Sequence, residues 1–339
     1  MGILVKITQI VAFAMALFCF FACGEVVQET NLELSAQMMT SVTVGTKVTF
    51  KVMNDGVQDV SGMARIKSVR TGRYLESNTW VAEEAGTWSF VAEFEGVTSN
   101  SIDIVVVEPI VSKFRKHICL MEFTGQWCAM CPDGATTINY YATKVYPDIM
   151  HVLAFHNEDD FTIPQEQVLF KKFNPGAYPG YILDMKSAGI VSNSKFSQDM
   201  KDADSQIGLH CGVSVSSSIS ADKANVKVSV FSEMESQYRL AVYVLEDKVV
   251  ARQNVNGNYR EDYVHRHVVR KMISGSVEGD DLGVIAADKE KTKEYSVDLN
   301  PAWNKANLEV CVLVIGNDLS VNNTAACALD GGKADYDRL

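Results

Sequence analysis

The sequence predicts a multidomain protein in which a central α/β domain lies between two β-sandwich domains. Strand-like segments separated by turn residues fill the first and last thirds of the chain. In the middle third, apolar strand-like segments alternate with helix-compatible segments. At 339 residues the chain is also too long for one ordinary hydrophobic core. The predicted parts are a leader over 1–22 and domains over 23–108, 109–208 and 209–339.

The chain begins with a segment typical of an exported protein. From Ile10 to Cys23 all residues are small or apolar. This run has the length of a signal-peptide core and is shorter than the roughly 20 residues of a membrane-spanning helix. Ala22 directly before Cys23 resembles a bacterial lipobox, which predicts a lipoprotein signal peptide over 1–22 and lipid attachment at Cys23. An ordinary secretory signal cleaved near Ala22 is the alternative, and either one implies a compartment where disulfides persist.

The charge balance restricts the kinds of partner that the chain can bind. There are 31 Lys and Arg residues against 42 Asp and Glu residues, a formal net charge of −11. This acidity argues against nucleic-acid binding and against adhesion to anionic lipid through a basic face. We therefore expect no nucleic-acid partner, and contact with a membrane only through the lipid anchor at Cys23.

The N-terminal part, 23–108, has the pattern of a small β-sandwich. Strands are predicted over 48–52, 88–94 and 102–107, with turn residues between them. The stretch from Gly86 to Ser101 resembles the last two strands of bacterial immunoglobulin-like domains, which implies an immunoglobulin-like β-domain here. Trp80 and Trp88 are expected in its core, with a sugar-binding face as the alternative.

The next two parts differ in their periodicity. In 109–208, strand-like segments and helix-compatible segments alternate, which predicts an α/β layer arrangement. The predicted strands are 118–123, 149–155 and 178–183, and the predicted helices are 133–145, 165–173 and 195–204. In 209–339 strands return, and Asn256-Gly257 is the strongest hairpin signal. We predict a second β-sandwich for this last part.

Cys128 and Cys131 form the most informative motif in the chain. They lie three residues apart, after the strand-like segment 117–123 and before a helix-compatible segment. Two cysteines at this spacing share one face of a first helical turn and can close a disulfide. At a helix N-terminus, orphan N–H groups and the helix dipole favour the thiolate of the first cysteine. Such a pair can attack a disulfide with one thiol and release the product with the other.

Several features around this motif resemble the thioredoxin-like superfamily. Besides Cys128 and Cys131, the sequence has Glu122 six residues before the first cysteine, where that family has a buried acid. It has the aromatic Trp127 directly before the first cysteine. Pro179 precedes a strand-like segment, at the place of the family's cis-proline that faces the disulfide. The resemblance implies a thioredoxin-like fold for the central domain.

The order of the parts resembles one bacterial family. A lipid-anchored N-terminus, an immunoglobulin-like domain, a thioredoxin-like domain and a β-rich C-terminal domain together look like the twenty-eight-kilodalton outer-membrane protein family of thioredoxin-like lipoproteins. This resemblance implies a location in the cell envelope, at the outer membrane. It does not imply a particular reaction.

The thioredoxin-like resemblance also implies a role for each residue of the motif. Cys128 would be the attacking thiolate, and Cys131 would resolve the mixed disulfide. Glu122, if buried, would have a raised pKa and could accept the proton of Cys131. Pro179 would leave the backbone of Tyr178 free to pair with an extended substrate.

Plainer interpretations of these residues stay open. Cys128 and Cys131 could form a static local disulfide, and Glu122 could be an ordinary strand residue. Of the remaining cysteines in the predicted domains, Cys119 is expected as a small buried strand residue. The C-terminal ones could supply one structural disulfide and leave one thiol free. These are Cys211, Cys311 and Cys327.

The sequence predicts no cofactor and no metal. No second Cys-x-x-Cys or His-x3-His completes a zinc site. The residue after Cys131 is proline, whereas covalent haem attachment needs histidine there. His265 and His267 are expected at the surface, with a metal site as the alternative. The acidic segment 157–160 is expected to be a solvated loop, with a Ca²⁺ site as the alternative.

Two functions fit these observations. The first is an exported, lipid-anchored thiol–disulfide oxidoreductase whose partners are the cysteine pairs of other envelope proteins. The second is a non-catalytic outer-membrane or surface binding lipoprotein that uses the same scaffold. The first requires an accessible, reactive Cys128. The second predicts a buried, inert disulfide and a ligand surface on a β-domain.

Overall fold

The computed structural model describes residues 31–36, 41–108, 110–191, 194–205 and 208–339. The predicted signal peptide over 1–22 and the predicted lipidation site Cys23 lie outside these residues. Strands make up 51% of the described residues and helices 12%. Within the described ranges, no helix is long and apolar enough to cross a membrane.

The N-terminal part folds as two packed β-sheets. Its strands are β1 Leu32–Ala36, β2 Ser41–Thr43, β3 Lys47–Asn54, β4 Gln58–Asp59, β5 Arg65–Ser68, β6 Thr79–Val81, β7 Gly86–Phe94, β8 Val97–Thr98 and β9 Ile102–Val107. One sheet has the order β1-β3-β4 with β6 beside β3, and the other has the order β2-β9-β7-β5 with β8 beside β7. This arrangement is consistent with the predicted β-sandwich.

Alternating side chains of these strands fill the space between the two sheets. In β7 every second side chain from Trp88 to Ala92 is buried, as the two-residue period of a strand requires. The ring of Trp80 lies 5.1 Å from that of Trp88 and 4.9 Å from that of Phe90. Both tryptophans therefore belong to the core of the sandwich, and they do not form a sugar-binding face.

The middle third contains the three α-helices of the described residues. Its elements are β10 Ile118–Thr124, α1 Cys131–Tyr140, β11 Met150–His156, α2 Gln165–Phe173, β12 Gly180–Leu183, β13 Ser187–Ile190 and α3 Ser194–Ala203. A π-helical turn, Tyr141–Val145, continues α1. β10 is buried along its whole length, pairs parallel with β11 and pairs antiparallel with β12.

The last third consists almost entirely of strands. They are β14 Cys211–Ser220, β15 Lys223–Ser232, β16 Ser236–Glu246, β17 Val249–Val255, β18 Asn258–His265, β19 Val268–Met272, β20 Asp280–Ile285, β21 Lys289–Asp298, β22 Leu308–Ile315, β23 Val321–Ala328 and β24 Lys333–Ala334. A four-stranded sheet, β21-β15-β14-β24, packs on β16 and β22 through a core of valine and leucine side chains. This packing is again consistent with a β-sandwich.

One nine-stranded sheet joins the middle and last thirds. Its order is β13-β12-β10-β11-β19-β16-β22-β23, with β20 beside β16. The junction is the parallel pairing of β11 with β19, at Ala154 and Val268. A single hydrophobic cluster covers both sides of this junction and includes Phe123, Phe155, Tyr243 and Leu313.

The predicted α/β thioredoxin-like central domain is therefore wrong. The chain is strand-dominated, and the four strands of the middle third form no separate sheet but belong to the nine-stranded sheet. The alternation of strands and helices along the sequence identified the elements, but it gave no information about the partner of the outer edge of β11. That edge is occupied by β19, from the last third. The predicted domain boundaries stay predictions.

Candidate functional site

Cys128 and Cys131 lie where β10 passes into α1. The two residues form a disulfide, with their Cα atoms 5.4 Å apart. Pro132 occupies the first turn of α1, where its missing N–H is tolerated because no helical partner exists for it. Cys128 is 5% exposed and Cys131 is 1% exposed. The disulfide is therefore enclosed by protein.

An aromatic group borders the disulfide on one side. Trp127 is 42% exposed, and its indole Nε1 donates to the carbonyl of Asn157 at 2.8 Å. Its ring meets the edge of the Tyr178 ring at 5.5 Å. Tyr178 donates through its hydroxyl to Oε1 of Glu166 at 2.5 Å, and the Asn157 amide donates to Oε2 at 3.0 Å. The fully buried Glu166 carboxyl therefore accepts hydrogen bonds from both Tyr178 and Asn157, the two residues that contact Trp127.

We expect the Tyr178→Phe substitution to destabilise the protein by about 2 kcal/mol, because it leaves the buried Glu166 carboxyl without one of its two donors. The free energy of urea unfolding measures the effect. Tyr74→Phe is the matched control, since that hydroxyl also donates to a carboxylate, Glu93, but at the surface. Equal destabilisation by both substitutions would contradict the role given to Glu166.

The Tyr178–Pro179 bond is cis, and Pro179 packs on the first turn of α1. A Cβ atom added to Gly134 would lie 2.6 Å from Cβ of Pro179. Glycine at position 134 therefore allows α1 to approach Pro179 this closely.

For this reason we expect Gly134→Ala to destabilise the protein by about 2 kcal/mol through overpacking. Gly62→Ala is the matched control, because a Cβ there would meet no atom of the described residues within 4 Å. Thermal and urea unfolding of both variants measure the difference. An unfolding free energy of Gly134→Ala equal to that of Gly62→Ala would show that the contact with Pro179 is not tight.

Glu122 lies on β10 beneath the disulfide loop. It is 5% exposed, and its Oε1 has no hydrogen-bond partner among the residues that the structure describes. Burial raises the pKa of this carboxyl to about 7. Desolvation destabilises a carboxylate, so the side chain holds its proton at pH values where a surface glutamate is ionised.

A cavity of about 170 Å³ connects Glu122 to the disulfide. Its lining combines the buried acid, the second cysteine, three histidines and a tyrosine. These residues are Glu122, Cys131, His156, His265, His267 and Tyr263. The Nδ1 atom of His156 lies 2.7 Å from the carboxylate of Asp159, which also accepts from the backbone N–H of Gln126. Burial lowers the pKa of His265 to about 4, so this imidazole is neutral at neutral pH.

The hairpin formed by β17 and β18 closes the site from above. Its turn is Asn256-Gly257, with φ of 50° and 90°, so the predicted hairpin turn is confirmed. The backbone N–H groups of Asn254 and Asn256 donate to the carbonyls of Gln126 and Ala129 at 2.8 and 3.1 Å. The Asn254 side chain donates to the carbonyl of Trp127 at 3.1 Å.

The buried side chain of Gln253 adds further hydrogen bonds between the hairpin and the disulfide loop. It is 2% exposed, and its Nε2 donates to the carbonyls of Gly125 at 3.2 Å and Cys128 at 3.0 Å. Five consecutive carbonyls of the disulfide loop, 125–129, therefore accept hydrogen bonds from the hairpin. The hairpin fixes the loop and covers the cavity at the same time.

The structure brings most of the predicted site residues together. Cys128 and Cys131 form the disulfide, and Glu122 lines the same cavity as Cys131. Tyr178 contacts the ring of Trp127, and Pro179 packs on Gly134 in the first turn of α1. The sequence interpretation missed Gln253 and Glu166, since a single buried glutamine or glutamate has no local signature. It also placed His265 at the surface, which is wrong, because that side chain is buried.

The structure also bears on the predictions for the other cysteines and for the segment 157–160. All four further cysteines in the described ranges are free thiols, so the C-terminal disulfide does not form. They are Cys119, Cys211, Cys311 and Cys327. The segment 157–160 is not a fully solvated loop, because Asn157 and the carboxylate of Asp159 are buried. Within the described ranges, no group of three His, Cys, Asp or Glu residues could hold a metal ion.

One family model matches the C-terminal half of the chain. The family model for outer membrane protein Omp28 matches residues 167–331. This match supports the predicted resemblance to that family and confirms the predicted location in the cell envelope, at the outer membrane. The matched stretch includes the hairpin of β17 and β18, but it begins after Cys128 and Cys131. No curated protein matches the sequence.

Two solved structures are similar to parts of this chain. HBP35 of Porphyromonas gingivalis is similar over 64% of this chain and 76% of its own, with 20% identity and a TM-score of 0.55. A protein from Agrobacterium tumefaciens covers 66% of this chain and is itself covered completely, with 12% identity and a TM-score of 0.42. At these identities the first similarity concerns the fold alone, and the second is too low to support an argument.

Proposed function

We propose that this chain is a non-catalytic binding protein of the outer membrane, in which the Cys128–Cys131 disulfide is a fixed link of the scaffold. The match to an outer-membrane protein family supports the location. The enclosure of the disulfide is the observation that carries the proposal. Cys128 is 5% exposed, and the hairpin binds every carbonyl from Gly125 to Ala129. A thiol that attacks protein substrates needs an accessible sulfur.

Attachment to the membrane through a lipid on Cys23 is part of this proposal. The support is the apolar run that ends at Ala22 and Cys23. Cys23→Ser should release the protein from the membrane fraction into the soluble fraction, and it should remove the mass of the lipid from the mature chain. Retention of the variant in the membrane fraction would contradict a lipid anchor.

Thiol–disulfide exchange is the second candidate function, and Glu122 is the observation that favours it. Burying an unpartnered carboxyl is costly, and a static disulfide gains nothing from such a neighbour. Its pKa of about 7 suits an acid that exchanges a proton with Cys131 when the disulfide opens. In this case the hairpin would have to move before a protein thiol could reach Cys128.

One experiment separates the two candidates. The purified protein is equilibrated in glutathione and dithiothreitol redox buffers, and Trp127 fluorescence reports the state of the neighbouring disulfide. Cys128→Ser is the control for fluorescence changes unrelated to the pair. A disulfide that resists reduction to below about −300 mV supports the binding scaffold. A reversible transition between about −120 and −270 mV would overturn it in favour of thiol–disulfide exchange.

A further inference from the structure

We propose that the cavity beneath the disulfide binds a small organic cation that carries N–H groups, of the primary or secondary ammonium class. The proposal rests on the binding function proposed above and names its ligand. Three properties of the cavity lead to it: a buried acid with one oxygen that accepts no hydrogen bond from the described residues, an aromatic wall, and a volume of small-molecule size.

The buried Glu122 carboxyl favours a ligand that donates a hydrogen bond. Glu122 Oε1 is buried and accepts no hydrogen bond from any residue in the described ranges, although the side chain lines an open space. A buried polar atom left unpaired destabilises the protein, whereas a charge-assisted hydrogen bond to a carboxylate is among the strong ones. A ligand with an N⁺–H group satisfies this oxygen and matches its charge when the carboxyl ionises.

The wall beside the acid is aromatic. The rings of Tyr263 and His265 lie 4.9 Å apart, and those of His265 and His156 lie 5.2 Å apart. Nδ1 of His156 lies 2.7 Å from the Asp159 carboxylate, and this contact orients the ring. Aromatic faces next to a carboxylate are the surroundings that bind organic ammonium ions through cation–π contacts.

Size and charge agree with a small cation. A cavity of about 170 Å³ is close to the volume that holds one benzene-sized molecule. Arg266 is the only cationic side chain among the described residues that line it, and this side chain is paired with Asp247 at 3.6 Å. The net charge of −11 also attracts cations to the protein as a whole. A metal ion is disfavoured, because the described residues offer no group of three metal ligands.

The experiment titrates the purified full chain at pH 8 with dimethylammonium, followed by calorimetry and by the ¹H resonances of the probe. Tetramethylammonium is the comparison, because it has the same charge and no N–H group. We expect saturable binding of dimethylammonium and at least tenfold weaker binding of tetramethylammonium. Absence of dimethylammonium binding, or equal affinity for the two ions, would overturn the proposal.

Two variants test the place of binding. Glu122→Gln should weaken dimethylammonium binding roughly 10- to 100-fold, because it removes a charge-assisted hydrogen bond. Glu76→Gln makes the same charge change on the exposed surface of the N-terminal sandwich and should leave the affinity unchanged. Equal effects of the two variants would show general electrostatic attraction only and would overturn the assignment of the site.

A variant at the entrance adds an independent check. Thr136 is an exposed residue of α1 that lines the cavity, so Thr136→Trp should block entry without removing a polar group from the interior. Undiminished binding to this folded variant would also overturn the site.

The redox titration is separate from these measurements. If the protein binds dimethylammonium but its Cys128–Cys131 disulfide is readily reduced, only the proposal of a fixed disulfide is overturned. If the disulfide resists reduction but dimethylammonium does not bind, only the proposal of a cation site is overturned.

Discussion

Replacing Glu122 by glutamine should change the dependence of stability on pH by about 3 kcal/mol. The pKa of this carboxyl is about 7 in the folded protein against an ordinary value of 4.5. Below pH 4.5 the group is protonated in both the folded and the unfolded chain. Between pH 4.5 and about 7 the unfolded chain loses its proton first, so the free energy of unfolding of the wild type falls as the pH rises.

The variant lacks this loss, so it should gain about 3 kcal/mol relative to the wild type between pH 4.5 and pH 8. Buried histidines act in the opposite direction, because burial lowers the pKa of His265 to about 4 and of His151 to about 3. Their contribution is common to both proteins and cancels in the difference. Urea unfolding of the two proteins from pH 4.5 to pH 8 measures the difference in their free energies of unfolding. If this difference does not change with pH, Glu122 has an ordinary pKa and the prediction is wrong.

The second large effect is expected from Gln253. Gln253→Ala removes the donor shared by the carbonyls of Gly125 and Cys128, both in a buried contact. We expect a loss of about 3 kcal/mol in the free energy of unfolding, since both buried hydrogen bonds from Gln253 are lost and these carbonyls keep only the backbone N–H groups of Cys128 and Cys131 as donors. We also expect faster reduction of the Cys128–Cys131 disulfide by dithiothreitol, because the hairpin then holds the loop less firmly.

Gln58→Ala is the matched control for this substitution, since Gln58 is an exposed residue of β4 in the N-terminal sandwich. It should change neither the unfolding free energy nor the rate of reduction measurably. A Gln253→Ala variant whose disulfide is reduced at the wild-type rate would show that the hairpin does not restrict access to Cys128. That result would remove the main support for the fixed-disulfide scaffold.

Sequence reasoning located the parts of the site that have a local signature. The spacing of Cys128 and Cys131, the acid at Glu122 and the proline at Pro179 are features of short segments, and the structure gathers them around the disulfide. The helix predicted over 165–173 has the bounds that α2 has in the structure. Local periodicity is sufficient for features of this kind.

The remaining parts of the site depend on contacts between distant segments. Gln253 lies 125 residues from Cys128, and its side chain contacts carbonyls that any residue could present. The Asn256-Gly257 signal predicts a turn but not the loop that the hairpin covers. Likewise, nothing local in β11 indicates that its outer edge pairs with β19. These pairings decide the fold class at the centre of the chain, which is why the sequence-based prediction was wrong there.

The shared sheet also sets the order in which an exported chain can mature. β11 pairs with β19 at Val268, and the disulfide loop is bound by the hairpin of β17 and β18, which directly precedes β19 in the chain. A chain that emerges from a membrane with its N-terminus first can complete the N-terminal sandwich early. The strands around Cys128 must wait, with apolar edges uncovered, until more than 100 further residues have crossed. Pairings so distant in sequence form slowly and expose the chain to aggregation, so this interval is where we expect the protein to depend most on assistance during export.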